Sequence, residues 1–345
     1  MDTVTQMLFG ATVAQAGFRR RLGRKALVVG AIMGLIPDLD VAVGWIWGPF
    51  ASWQYHRAFT HSLLFGPLVG PIFAWMIWRW QRSRHPALTA DEEQHMLRAW
   101  VWLCVLGLFT HPLIDAFTSY GTQLLWPITT TRFAINSMPI IDPLYSLVLI
   151  AAVAVGIAVK KRPRLAQDVA AAALLFIVLY SLGGWALNTQ VERVAREQFA
   201  RAGEVTAYPL LFQPYYRRVL VTTPDTAYVG YYSVLNPKPI DFQEFPIASG
   251  PEVEAVRATH EGAVFEWFSM NKPLWRSTPQ QDGSRIVEGY DLRYGMPGPS
   301  NLSMWGVRAR VMPDGTLAGP VERFSTPREA TGDQFRQFWH DMTGL

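Results

Sequence analysis

In the apolar half of the chain, the residues able to bind a cation or move a proton gather in four short segments. Asp38 and Asp40 lie in Ile36-Pro37-Asp38-Leu39-Asp40, and His56 and His61 in His56-Arg57-Ala58-Phe59-Thr60-His61-Ser62. His111 and Asp115 lie in Thr110-His111-Pro112-Leu113-Ile114-Asp115, and Asp142 in Ile141-Asp142-Pro143. Imidazoles and carboxylates without thiolates form a donor set for zinc, manganese or iron. His111 and Asp115 are four apart, which puts them on one helix face. Pro37 interrupts a helix where Asp38 and Asp40 stand, and such a pair converges on one ion only from irregular backbone. His56 and His61 converge if His56 sits in a loop and His61 at a helix start. The expected ligands of one or two divalent ions, zinc first, are therefore Asp38, Asp40, His56, His61, His111 and Asp115. Asp142, before Pro143, also reads as a helix N-cap.

These residues need elements to hold them, and the composition says of what kind. The chain has 345 residues, 50% of them hydrophobic and 17% charged, against roughly 25% charged in soluble domains. Five apolar stretches, Ala26 to Trp47, Ser62 to Trp78, Ala99 to Thr118, Pro143 to Val159 and Val169 to Leu187, approach the length needed to cross a ~30 Å hydrocarbon core. A weaker one, Val4 to Phe18, adds a sixth or lies on the surface. The basic residues sit between these stretches, at Arg19 to Lys25, Arg79 to Arg98 and Lys160 to Arg164, which is a membrane topology rather than a nucleic-acid surface. By the positive-inside rule those segments are cytoplasmic, and residues 48–61, 119–142 and everything after 188 face outside. Asp38 lies thirteen residues beyond Lys25, and His111 thirteen beyond Arg98, so both sit about 20 Å above the inner anchor. One orientation thus brings the ligands to one level near the outer face. His85 and His95 fall in the cytoplasmic loop and are excluded. The single cysteine, Cys104, allows neither an internal disulfide nor a CxxC site. Met1-Asp2-Thr3 has no basic n-region, so no cleaved signal peptide is expected.

After Leu187 the pattern changes. Asn188 to Ala202 reads as a charged helix and Pro251 to Glu261 as another. Arg217 to Thr223, Ala227 to Leu235, Ala263 to Met270, Ser284 to Tyr294 and Ser303 to Met312 read as strands between turn signals. The expected fold is a helical polytopic membrane domain of five or six transmembrane helices over 1–190. An extramembrane α+β domain with an antiparallel sheet follows over 191–345. His260 and His340 stand alone there and read as solvated.

The segments Gly30 to Asp40, His56 to Ser62, His111 to Thr118, Gly121-Thr122-Gln123-Leu124-Leu125-Trp126-Pro127 and Ile141 to Tyr145 resemble the bacterial membrane-bound metal-dependent hydrolases, the YdjM-like inner-membrane proteins. The resemblance covers about residues 1–190. It implies an inner-membrane helical hydrolase distantly similar to zinc-dependent phospholipase C, with the His and Asp residues above as ligands. Gln6 stands where many relatives have His, and is placed with substrate or behind the ligands. In that mechanism a metal-activated water attacks a phosphoester or ester of a lipid or lipid-linked substrate near the outer face. Asp40 or Asp115 is the general base and Arg57 holds an anionic phosphate. Thr60, Ser62, Thr118 and Thr122 are donors to the ligands. A metal or proton transporter, or an envelope-stress protein with a structural metal, is the competing reading; self-association is left open.

Overall fold

The structure, a computed structural model, describes residues 1–84, 89–199, 203–297, 302–326 and 332–345; His85 lies outside them. The chain divides into two compact units. The first comprises Met1–Ala42, Tyr55–Gly183 and Leu211–Gln213; the second comprises Val43–Gln54, Gly184–Leu210 and Pro214–Leu345.

The first unit is helical. Helix α1 (Thr3–Leu22) is N-capped by Asp2, whose side chain accepts from Thr5 N. It packs on α2 (Lys25–Leu35) so closely that a Cβ on Gly30 would stand 2.3 Å from the Gly10 carbonyl oxygen, and one on Gly34 2.3 Å from that of Gln6. No residue but glycine fits at these crossings. At Ile36–Val41 the chain tightens into a 3₁₀ turn with Pro37 in its first turn, the irregular backbone that Pro37 predicts. Short helices α3 (Ala42–Trp47) and α4 (Pro49–Tyr55), which belong almost wholly to the second unit, and a 3₁₀ turn at Phe59–His61 lead to α5 (Phe65–Arg82). The segment Pro49–His61 meets α5 at a 66° bend. Helix α6 (Ala90–Ala116) opens on a Thr89/Glu92 capping box, a strong local start signal. Its buried stripe runs Trp100, Leu103, Cys104, Gly107, Leu108, His111, Asp115, so the spacing that buries the core also delivers two metal-type residues. Helix α7 (Pro143–Ala158) is capped by Asp142, and α8 (Pro163–Gln198) belongs to the first unit up to Gly183 and to the second from Gly184.

Among the described residues, three helical segments are long and apolar enough to cross a membrane: Lys25–Trp47, Ala90–Ala116 and Pro163–Gln198. The bent pair through α5 makes a fourth if it counts as one span. The sequence expectation of five or six exceeds this. Helix α7 has 16 residues, about 24 Å at 1.5 Å per residue. Helix α1 is long enough, but Gln6, Gln15 and the arginines of its last turn keep it less apolar than a span requires. Gln15 donates to the carbonyls of Ala152 and Ala166, at 2.9 and 2.8 Å.

The second unit holds two four-stranded antiparallel sheets, each a meander. One runs β1 (Glu204–Pro209), β2 (Tyr216–Thr222), β3 (Thr226–Ser233), β4 (Gln243–Pro246); the other runs β5 (Pro273–Pro279), β6 (Arg285–Asp291), β7 (Trp305–Val311), β8 (Glu322–Ser325). Helices α9 (Pro251–Arg257) and α10 (His260–Phe268) join them, and α11 (Gly332–Thr343) follows. The strand expected over Ala263 to Met270 is helix α10. Its aromatic residues suggested a strand, but Thr259 caps a helix by accepting from Gly262 N, and Phe265 and Phe268 are buried three apart. The charged helix expected from Asn188 is the continuation of α8, because no breaker separates it from the apolar part.

The second unit includes Val43–Gln54. Trp53 of that segment is 1% exposed. Its ring stacks on Phe268 at 4.8 Å, and Arg323 lies 4.6 Å over it. A segment packed this way must share a compartment with the residues that follow Gly184. Compartment reporters inserted after Trp47 and before β1 should therefore agree with each other, and opposite readings would contradict the packing. Trp53→Ala should destabilise the unit by about 3–5 kcal/mol, read as a lower melting temperature.

Candidate metal centre

Four side chains from three segments of the first unit converge: Asp38 from the turn after α2, His61 from the turn before α5, and His111 and Asp115 from the end of α6. One ligand atom of each lies within 4.8 Å of all the others. His61, His111 and Asp115 are buried and Asp38 is half-buried.

The edges of the group are informative. His61 Nε2 lies 3.0 Å from His111 Nε2. It lies 3.3 Å from Asp115 Oδ2 and 3.6 Å from Asp38 Oδ1. His111 Nε2 lies 3.4 Å from Asp38 Oδ1 and 3.7 Å from Asp115 Oδ2. Ligands 2.0–2.1 Å from a tetrahedral ion are separated by about 3.3–3.4 Å, within the range of these contacts, 3.0 to 3.7 Å. Adjacent ligands of an octahedral ion at similar distance are about 3 Å apart, which also fits.

The ring hydrogens strengthen the case. His111 Nδ1 lies 2.8 Å from the Gly34 carbonyl oxygen, which can only accept. His61 Nδ1 lies 3.1 Å from Asp40 Oδ2. With each Nδ1 donating, each neutral ring turns an Nε2 lone pair inward. Two lone pairs and two carboxylates then face one another, and Asp38 Oδ2 has no hydrogen-bond partner. Such a group repels itself unless a metal ion or a proton on one Nε2 stands among its members, and its donor set is one that could hold a metal ion. The nearby charges are those of Asp38, Asp40, Asp115, Arg57 and the Met1 amino group, a net negative sum of minus one with that amine protonated and minus two with it neutral, which a divalent ion would offset.

Asp40 stands behind the four rather than among them. Its Oδ1 is 2.6 Å from His56 Nδ1. Its Oδ2 accepts from Arg57 N at 3.0 Å and from Thr60 Oγ1 at 2.6 Å. One carboxylate therefore orients His61 and His56 together and organises the loop between them, the arrangement that fixes a metal-binding imidazole. His56, in a loop as its spacing requires, is half-buried beside Tyr120. Arg57 adopts φ 65°, a left-handed conformation that costs a non-glycine residue about 1–3 kcal/mol. Gln123 N donates to its carbonyl. Its guanidinium turns inward, with Nε 3.1 Å from Asp115 Oδ2 and an NH donating to Thr118 Oγ1 at 3.3 Å.

Gln6 Nε2 donates to Asp115 Oδ1 at 3.0 Å and to the His111 carbonyl at 3.3 Å. The Met1 amino group pairs with the same Asp115 oxygen. Ser62 is buried nearby in sequence, its hydroxyl without a hydrogen-bond partner. Asp142 is not part of the group: it caps α7 through Tyr145 N and accepts from the Tyr180 hydroxyl, both at 3.0 Å. His95 is exposed near the start of α6. Two participants carry no sequence signal. The Gly34 carbonyl is backbone, and Tyr120, 4.6 Å beneath the Arg57 guanidinium, is one aromatic among many.

Elemental analysis of the purified protein should find one equivalent of divalent metal, lost in His111→Ala. Asp40→Asn should keep all four ligands yet weaken metal affinity about 10–100-fold, measured by competition with a chelator.

The family model for the YdjM inner membrane proteins matches residues 1–190. The chain is 31% identical over 111 residues to the inner membrane protein YbcI of Escherichia coli (strain K12), covering 32% of this chain and 57% of YbcI. It is 23% identical over 228 residues to YfhP of Bacillus subtilis (strain 168), 64% of this chain and 62% of that one. A third similarity, 35% over 88 residues, is to a Stenotrophomonas maltophilia (strain K279a) protein named "Putative manganese efflux pump MntP"; it covers 25% of this chain and 45% of that one. The chain thus spans about half to three-fifths of the length of these relatives. No solved structure matches it. With more than half of its residues matched, the chain belongs to the YdjM inner membrane protein family.

Proposed function

We propose that the chain is a metal-dependent hydrolase of the inner membrane, acting on a phosphoester or ester of a lipid or lipid-linked substrate. The observation that carries this reading is Asp40, which holds His61 at the metal group and His56 beside it. With Nδ1 on Asp40, His56 keeps Nε2 for taking a proton from an attacking water and returning it to the leaving oxygen. A divalent ion in the group supplies Lewis-acid polarisation of the phosphoryl or acyl oxygen and acidifies water. Arg57, held on Asp115 and Thr118, fixes Asp115 and adds positive charge at the group.

Coordination arithmetic deepens the choice of metal. Four protein donors complete a tetrahedral zinc site, whereas catalytic sites keep a position open. The same four residues would hold a manganese or iron ion with room left for water and substrate. Asp38, the one ligand not fully buried, marks the side from which they enter. The crossing of α1 and α7 as two further spans, and an outer location for the second unit, complete the proposed topology. Trp45 and Trp47, exposed on α3, suit a membrane boundary.

Metal transport is the second reading, favoured by the similarity to the manganese efflux protein. Against it, the buried polar groups of α1 toward its basic end are Gln15 and Arg19. They are bound to carbonyls of Ala152, Ala166 and Val159, and a buried arginine repels a divalent cation.

Purified protein loaded with manganese should hydrolyse members of a panel of phospholipids and phosphodiesters. His56→Gln should lower kcat about 10²–10⁴-fold with metal content unchanged. Metal-loaded protein that turns over nothing, yet moves manganese across proteoliposomes, would replace the hydrolase with the transporter.

A further inference from the structure

A second binding surface lies on the first unit, away from the metal ligands. Helices α1, α2 and α7 leave between them a groove of about 700 Å³ whose walls are apolar except at one end. Val4, Leu8, Val28 and Ile157 are among the wall residues, and Arg24 and Lys25 stand at the end. Val4, Val28 and Ile157 are exposed. The groove extends along α2 from Lys25 to Ala31, about 9 Å at 1.5 Å per residue.

The charge is one-sided. No acidic residue lines the groove. Arg24 anchors one NH on the Ile157 carbonyl at 3.2 Å, which holds its guanidinium at the groove mouth and leaves its other donors outward. Lys25 is exposed and has no ion-pair or hydrogen-bond partner among the described residues. Two adjacent cations at the end of an apolar trough between membrane helices match a phosphate headgroup with an acyl chain below it.

We propose that this groove is a specific site for an anionic phospholipid, its headgroup phosphate on Arg24 and Lys25 and an acyl chain along α1, α2 and α7. The chain end of the groove reaches Val4, Met7 and Ala31. These flank Gln6, which holds Asp115, and lie one turn from Gly34, whose carbonyl holds His111. The lipid therefore braces the α1/α2 crossing that positions two of the four metal ligands. The site is separate from any substrate position, and the proposal stands whether the metal group hydrolyses or transports.

Native mass spectrometry of the full chain in detergent, titrated with phosphatidylglycerol, phosphatidylcholine or inorganic phosphate, tests the proposal. Phosphatidylglycerol should bind at least tenfold more tightly than phosphatidylcholine, and inorganic phosphate should not displace it. The double substitution Arg24→Gln with Lys25→Gln should bring phosphatidylglycerol to the level of phosphatidylcholine. Val28→Trp, which fills the trough, should weaken both lipids. All three substitutions fall at exposed positions, and an unchanged helical circular dichroism spectrum reports that the first unit remains folded. Equal binding of the two lipids, or a preference that survives the double substitution, would overturn the proposal. Displacement by inorganic phosphate would also overturn it, because the groove would then contribute nothing.

Discussion

Two imidazole nitrogens 3.0 Å apart face two carboxylates in a buried group that could hold a metal ion, and these acceptors repel one another unless a metal ion or a shared proton stands among them. Each part of that arrangement is separately constrained. Gly34 takes the hydrogen of one ring and Asp40 that of the other. Arg57 and Gln6 occupy Asp115 from outside the group. Burial removes the water that would otherwise separate the charges, so the interaction with a bound ion is strong and its absence costly.

The scaffold meets this constraint with regular and irregular backbone in alternation. Helix α6 supplies two ligands from one stripe, because a stripe that is apolar for three turns can end in His111 and Asp115 without changing its period. The other two ligands come from 3₁₀ turns at Ile36–Val41 and Phe59–His61. There a non-helical backbone aims successive polar groups in different directions. In hydrocarbon such turns survive only when side chains absorb their unpaired amides. Asp40 does so by accepting the Arg57 N–H. The same carboxylate therefore satisfies the backbone and orients the imidazoles, which couples loop geometry to metal affinity.

Much of this was legible in the sequence where periodicity or chemistry is local. The pair His111 and Asp115 could be placed on one face by their spacing, Pro37 announced the broken helix, and Asp142 before Pro143 read as a cap. What the sequence did not show depends on three dimensions. Asp38 and Asp40 are equivalent in composition and two apart, yet one faces the group and the other supports it from behind. Gly10, Gly30 and Gly34 carry no sequence signal of their own, because their role is the close α1/α2 crossing. Helix α10 was misread because Phe265, Trp267 and Phe268 suit a strand and a buried helix equally. The length of α8 was missed because polarity changes at Asn188 while helical geometry does not.

X-ray absorption at the edge of the bound metal measures the central claim most directly. The account predicts only nitrogen and oxygen neighbours at about 2.0–2.2 Å, with outer scattering from two imidazoles that falls to one in His61→Ala. A sulfur neighbour, an ion without imidazole scattering, or a spectrum unchanged by His61→Ala would contradict it.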